Sequence, residues 1–163
     1  MTDFADSDRL SEVRLIEDRP RARTPEIQQE LDVALFDLKE DNRFRPAPHS
    51  PGEGGPYALG IGMAERQLHL EVTDGDSPEP LVLRLSLGPL RGVIKDYFAI
   101  CESYFDAVKH LPPSKIEAID MGRRGIHDEG ARLLSERLEG RILTDHETAR
   151  RLFTVVCALQ FRG

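Results

Sequence analysis

The densest polar cluster in the chain is Asp120-Met-Gly-Arg-Arg-Gly-Ile-His-Asp-Glu129. Arg123 and Arg124 are planar cations, each able to grip a phosphate or carboxylate through paired N–H groups. Glycines at 122, 125 and 130 predict a corner between two helices. A helix starting near His127 would turn free amides, and the positive end of its dipole, toward an anion. Arg123, Arg124 and the amides around Gly125 are therefore the candidate anion site. The competing reading is a helix–helix turn whose arginines pair with Asp120, Asp128 or Glu129. The same run holds Asp120, His127 and Glu129, a candidate acid–base set for which the two arginines would clamp an anionic substrate. Its spacing matches no zinc motif and offers no fourth ligand, so no metal and no cofactor is assigned.

Other reactive residue types read as structure. Cys101 and Cys157 lie in apolar helical patterns, which suits buried thiols in a reducing compartment. Ser103 is on the same predicted helix as Cys101, and no Gly-x-Ser-x-Gly elbow surrounds any serine. There is neither a phosphate-binding Walker loop nor a dinucleotide glycine fingerprint, and Gly60-Ile-Gly62 falls within a strand pattern. Tyr97, Phe98, Tyr104 and Phe105 recur at helical steps and read as core. Arg150, Arg151 and Arg162 form a second basic spot, either a solvated face or a dock for an acidic partner. His146 belongs to the first turn of the last helix.

The elements that must position these residues follow from periodicity. Val13 and Leu15 suggest a short strand over 12–17, and Asp18 to Arg23 a charged turn. Thr24-Pro25-Glu26 starts a helix over 25–40, with Thr24 as N-cap and Ile27, Leu31, Ala34 and Leu38 on its apolar face. Residues 42–56 carry four prolines and three glycines, and predict a loop that is mobile or wrapped over the surface, with Arg43, Arg45 and His49 solvated. Period-two patterns then predict three strands between 57 and 87, with breaks at Glu65-Arg66 and Asp74–Pro80, forming an antiparallel meander. Gly60 and Gly62 leave the first strand bare on one side, so that backbone or a ligand packs closely there.

A helix over 89–110 carries the longest apolar stripe, spanning about 33 Å. Ser114 to Glu117 reads as a capping box opening a helix over 115–138, interrupted at Gly122 and Gly125. A short strand fits Arg141–Leu143. Thr144 to Glu147 reads as another capping box, opening a helix over 145–160, with a strand at 152–159 as the alternative. This last segment is apolar nearly all round, so it is either central to the core or covered by a partner, including a second copy of the chain. Strands first and helices afterwards predict an α+β fold.

The chain has 163 residues, 39% of them hydrophobic and 31% charged, enough for one domain with a real core. We expect 1–11 to be a flexible acidic extension and 12–163 a single α+β domain. The first ten residues have no apolar leader, and no stretch approaches a membrane span, so a cytoplasmic location is expected. The net charge of −7 is uneven. Residues 1–80 carry nine basic and eighteen acidic side chains, against thirteen and eleven in the remainder. Such an acidic half repels nucleic acid at long range, and argues against a nucleic-acid partner.

Three strings, Lys95-Asp-Tyr-Phe-Ala-Ile-Cys-Glu-Ser-Tyr104, Ile116-Glu-Ala-Ile-Asp-Met-Gly-Arg-Arg-Gly125 with His127, Glu129 and Gly130, and Thr148-Ala-Arg-Arg-Leu-Phe153, stand beside Phe44-Arg-Pro46 and Gly54-Gly-Pro-Tyr57. Together they resemble an uncharacterised family of small cytosolic proteobacterial proteins, over roughly residues 11–163. The resemblance implies a bacterial cytosolic protein with one family domain and a variable extension over 1–10. It brings no reaction, ligand or functional residue with it. Three classes stay open: a small binding or regulatory domain with an anion site at 120–130, whose partner is a small anion or a protein; a small enzyme using Asp120, His127 and Glu129; and, against the charge balance, a nucleic-acid-associated protein.

Overall fold

The computed structural model describes residues 3–17, 22–75, 77 and 79–161. The expected turn at 18–23 falls largely outside the described residues, as does Arg162. The chain runs β1 (Leu10–Ile16), α1 (Pro25–Glu40), β2 (Phe44–Pro46), β3 (Tyr57–Ala64), β4 (Gln67–Asp74), β5 (Leu81–Ser86), α2 (Arg91–His110), α3 (Pro113–Leu138), β6 (Ile142–Thr144) and α4 (His146–Gln160). A single 3-10 turn, Gly88–Leu90, leads into α2. The fold class is α+β.

The main sheet has the order β1-β3-β4-β5. β3, β4 and β5 form the expected meander, paired Ala64↔Gln67 across a two-residue turn and Leu70↔Leu83 further along. β1 joins it parallel to β3, pairing Val13 with Leu59 and Leu15 with Ile61, so the sheet is mixed rather than antiparallel throughout. The long connection through α1 permits this, since parallel neighbours need a crossover rather than a hairpin. β2 and β6 form a separate antiparallel pair.

Leu59, Ile61, Leu68, Leu70, Val72, Leu83 and Leu85 supply the sheet's buried face. α4 is the central helix, with ten buried residues from Thr148 to Leu159, packed against α1 and α3. Its apolar girdle is therefore core, and no apolar face of it is left for a second copy. Its cap is Asp145, whose side chain accepts from the Thr148 amide at 3.0 Å, one residue later than the expected Thr144. Thr148 instead accepts the Arg43 amide at 3.0 Å. The α1 start is as the sequence predicts, with Thr24 Oγ1 accepting from the Ile27 amide at 3.2 Å.

The bare side of β3 is filled from within the chain. A Cβ on Gly62 would lie 2.2 Å from the Ile16 carbonyl oxygen, and one on Gly60 2.9 Å from the Ile16 side chain and 3.2 Å from the Arg14 guanidinium. No ligand is needed to explain these glycines.

Two expectations about order are overturned. Residues 3–10 are not a frayed extension, because Asp8 and Leu10 are fully buried. The loop after α1 is not solvated throughout, because Phe44 and Arg45 are buried.

Candidate functional site

Residues 120–130 contain no corner. α3 is one helix of 26 residues, starting at Pro113 without a side-chain cap, and Gly122 and Gly125 lie inside it. Interior amides donate to carbonyls four residues back, so those around Gly125 are not free for an anion. Glycine in a helix interior costs only about 1 kcal/mol against alanine, which packing against neighbouring helices overrides.

The two arginines meet the protein's own carboxylates. Arg123 Nη1 lies 2.5 Å from Glu30 Oε1 on α1, and its Nε lies 3.4 Å from Asp120 Oδ1. Its guanidinium also sits 4.4 Å from the Tyr104 ring centroid. Arg124 is exposed, and reaches Asp120 Oδ2 at 3.2 Å. The pairing of the competing reading therefore holds, since both arginines meet Asp120, but within a continuous helix, and Arg123 also bridges α3 to α1 through Glu30.

The acid–base set does not assemble either. At 100° per residue, Asp120 and His127 share a side of α3 but stand about 10 Å apart along its axis, while Glu129 points to the opposite side. Glu129 is exposed and paired with Arg132 at 2.6 Å. His127 stacks on Tyr97, with ring centroids 5.4 Å apart, and its buried Nε2 has no partner among the described residues. Burial, then the Arg123 and Arg150 charges, push its pKa down to about 4.

That depression carries a testable sign. The unfolded histidine takes up a proton near pH 6.5, whereas the folded one resists until about 4, so stability is lost as pH falls between those values. Discounted for residual solvent, the loss is on the order of 2 kcal/mol. Urea denaturation at pH 7 and pH 4.5 should show it in the native protein, and His127→Phe should flatten the difference.

The cysteines behave as core. Cys101 and Cys157 are free and fully buried, and burial raises both thiols, that of Cys101 to about 11. Neither is a nucleophile in this state.

A hollow of about 580 Å³ lies at the β3–β4 turn. It is lined by Met63, Glu65, Arg66, Leu87, Arg91 and Ile94, with Ser86, Gly88 and Gln160 completing the wall. Arg66 and Arg91 have no carboxylate within 4.0 Å among the described residues. Arg137 on α3 approaches the same rim, donating from Nε to the Ser86 carbonyl at 2.8 Å, and it too has no carboxylate partner among the described residues. Glu65 faces Arg84 at 3.9 Å. Among the described residues, the lining thus holds one carboxylate, Glu65, and two guanidinium groups, Arg66 and Arg91, with Arg137 bonded to the Ser86 carbonyl beside it.

Both turn residues here have left-handed backbones, Glu65 with φ 52° and Arg66 with φ 66°. Such turns normally carry Asn-Gly, because a side chain with a Cβ is strained there. A two-residue hairpin made from Glu-Arg was the one local sign of this site in the sequence. Its other members come from β5, α2 and α3, and no spacing rule connects them.

The chain matches the model of an uncharacterised protein family, UPF0262, over residues 7–162. It is 56% identical over 140 residues to a UPF0262 protein of Jannaschia sp., covering 86% of this chain and 89% of the relative. A Roseobacter denitrificans relative is 52% identical over 157 residues, covering 95% and 99%. One from Rhodospirillum rubrum is 47% identical over 161 residues, covering 99% and 98%. No solved structure matches the chain. Among the described residues, no helix is long and apolar enough to cross a membrane. With nearly its whole length matched, both to the family model and to relatives about half identical, the chain belongs to the uncharacterised protein family UPF0262.

Proposed function

We propose that the protein is a small cytoplasmic binding domain whose ligand is an anion with an apolar body, held in the hollow beside the β3–β4 turn. The observation that supports this is Arg66 and Arg91 facing a hollow of about 580 Å³ without carboxylate partners among the described residues. In a chain of net charge −7, unneutralised guanidinium groups around a concavity attract phosphate or carboxylate. The volume suits a small molecule, for which pockets run from roughly 300 to 1,000 Å³. Met63, Leu87 and Ile94 supply apolar wall for the rest of the ligand. The two buried free thiols support a reducing compartment.

The experiment is an NMR titration with phosphate, sulfate and phenyl phosphate. Saturable shifts are expected at residues 63–67 and 86–92, strongest for phenyl phosphate and weakening with added salt. An Arg66→Gln, Arg91→Gln double variant should lose at least about tenfold in affinity, the equivalent of one lost charged hydrogen bond. An Arg123→Gln, Arg124→Gln variant that loses binding instead would return the site to α3. Replacing Glu65-Arg66 by Asn-Gly relieves the left-handed strain, and should raise stability by about 1–2 kcal/mol while weakening the anion.

A further inference from the structure

At the other end of the meander the charge reverses. The eight-residue strands β3 and β4 separate the two ends by about 25 Å. There Tyr57 begins β3 and pairs with Asp74, which ends β4. A cleft of about 280 Å³ opens between them and the loop after β2, lined by His49, Tyr57, Asp74, Glu79, Pro46 and Pro48 among others. Among the described residues, no lysine or arginine lines it.

The groups inside are held in place. His49 Nδ1 lies 2.9 Å from the Tyr57 hydroxyl, so the half-exposed imidazole is pinned by a fully buried phenol. Gly54 lets the backbone approach these groups closely. A Cβ there would fall 2.3 Å from Asp74 Oδ2, 2.9 Å from the Tyr57 hydroxyl and 3.3 Å from His49 Nδ1. Gly54 thus packs tightly against a carboxylate, a phenol and an imidazole, the last two of which are hydrogen-bonded to each other. The Asp74 carboxylate has no hydrogen-bonded or ionic partner among the described residues. Glu53 lies 3.9 Å from His49 Nε2. Arg45, whose charge also reaches the Tyr57 hydroxyl, is already paired with Asp8 at 3.0 Å.

We propose that this cleft is a second ligand site, for a small organic cation bearing an alkylammonium group. Its N–H donors are met by Asp74, with Glu79 contributing charge at the mouth and the prolines enclosing the alkyl part. The preference for an organic cation over a metal rests on the donor set. Among the described residues, no group of three His, Cys, Asp or Glu side chains could hold a metal ion. The negative surroundings are also felt at the Tyr57 hydroxyl, raised to about 12 by burial and then by the Asp74 charge.

The test is a titration of isotope-labelled full-length protein with methylammonium and ethanolammonium chloride, against potassium chloride at equal ionic strength and against calcium chloride. Saturable amide shifts are expected at residues 49–57 and 74 with the two amines only. Asp74→Asn keeps the shape and should weaken binding about tenfold or more, and Glu79→Gln should weaken it less. Arg66→Gln should leave it unchanged, which separates this site from the anion hollow. No saturation by tens of millimolar amine, equal shifts with potassium, saturation by calcium alone, or undiminished binding to Asp74→Asn would each overturn the proposal.

Discussion

Replacing Asp8 by alanine destabilises the fold by about 3–5 kcal/mol, the cost of leaving a buried guanidinium without its counter-ion. Asp8 is fully buried, and the Arg45 side chain is 6% exposed. Their contact, Arg45 Nη1 to Asp8 Oδ2, is 3.0 Å. The carboxylate also accepts the Ala5 amide at 2.8 Å and that of Gly52 at 3.2 Å. Arg45 Nη1 donates in addition to the Asp3 carbonyl at 2.7 Å, while its Nε is buried without a partner among the described residues. One ion pair thus ties together the first described residues, β2 and the loop that carries His49. An unanswered Nε means that the arginine has little left to compensate with once Asp8 is gone.

The cost belongs to the broken pair rather than to the pair's absence. Arg45→Met alone strands a buried carboxylate, whereas the double variant Asp8→Ala, Arg45→Met removes both charges. Urea denaturation of the four proteins should give a double variant far less destabilised than the sum of the singles, with a coupling of about 2–3 kcal/mol. Additive single effects would mean that the pair contributes nothing beyond packing.

The same pair has a pH signature. Burial alone would raise the Asp8 carboxyl, but the Ala5 and Gly52 amides and Arg45 outweigh it, so its pKa lies below the usual carboxylate value. Its contribution is present above pH 3.8 and is lost as pH falls through the lower folded value. The His127 effect is spent before that, between 6.5 and about 4. Acid unfolding should therefore steepen in two stages, the lower one absent from the double variant.

What was legible in the residues was local. Thr24-Pro25 marks the start of α1 because an N-cap oxygen and a fixed φ act within one turn. The alternating leucines of β4 and β5 report a sheet with one buried face, and Glu65-Arg66 reports a two-residue turn between strands that pair at once. What was not legible depends on partners distant in sequence. Val13 pairs with Leu59 in parallel only because α1 carries the chain back across the sheet. Pairing of Arg123 with Asp120 could be read locally, but its nearer carboxylate, Glu30, is 93 residues away and could not. The hollow and the cleft are likewise assembled from loops and strand ends that meet only after folding, and so Arg91 did not stand out and His49 read only as part of a solvated loop.

The glycines of α3 misled for a related reason, and substituting them distinguishes a helix from a corner. A Cβ on Gly130 would lie 2.4 Å from the ring of Phe153, itself fully buried on α4. The ring has no space to retreat into, because Tyr97 and His127 contact it edge-on from α2 and α3. Gly130→Ala should therefore cost about 3 kcal/mol, at the upper end for overpacking, despite alanine's better helix propensity. Gly125 has nothing within 4 Å of its would-be Cβ, and Gly122 meets only Ile100 at an ordinary 3.6 Å. Each should gain about 0.5–1 kcal/mol as alanine. For a chain of this size, 1 kcal/mol moves the melting temperature by about 2–4 °C, so calorimetry should read a fall near 10 °C for Gly130→Ala and rises of a few degrees for the other two. A helix corner would reverse the result at Gly122 and Gly125, since a glycine needed for a turn is lost on adding a Cβ. Stabilisation at both, with collapse at 130, means that α3 is continuous because Gly130 lets it lie against Phe153.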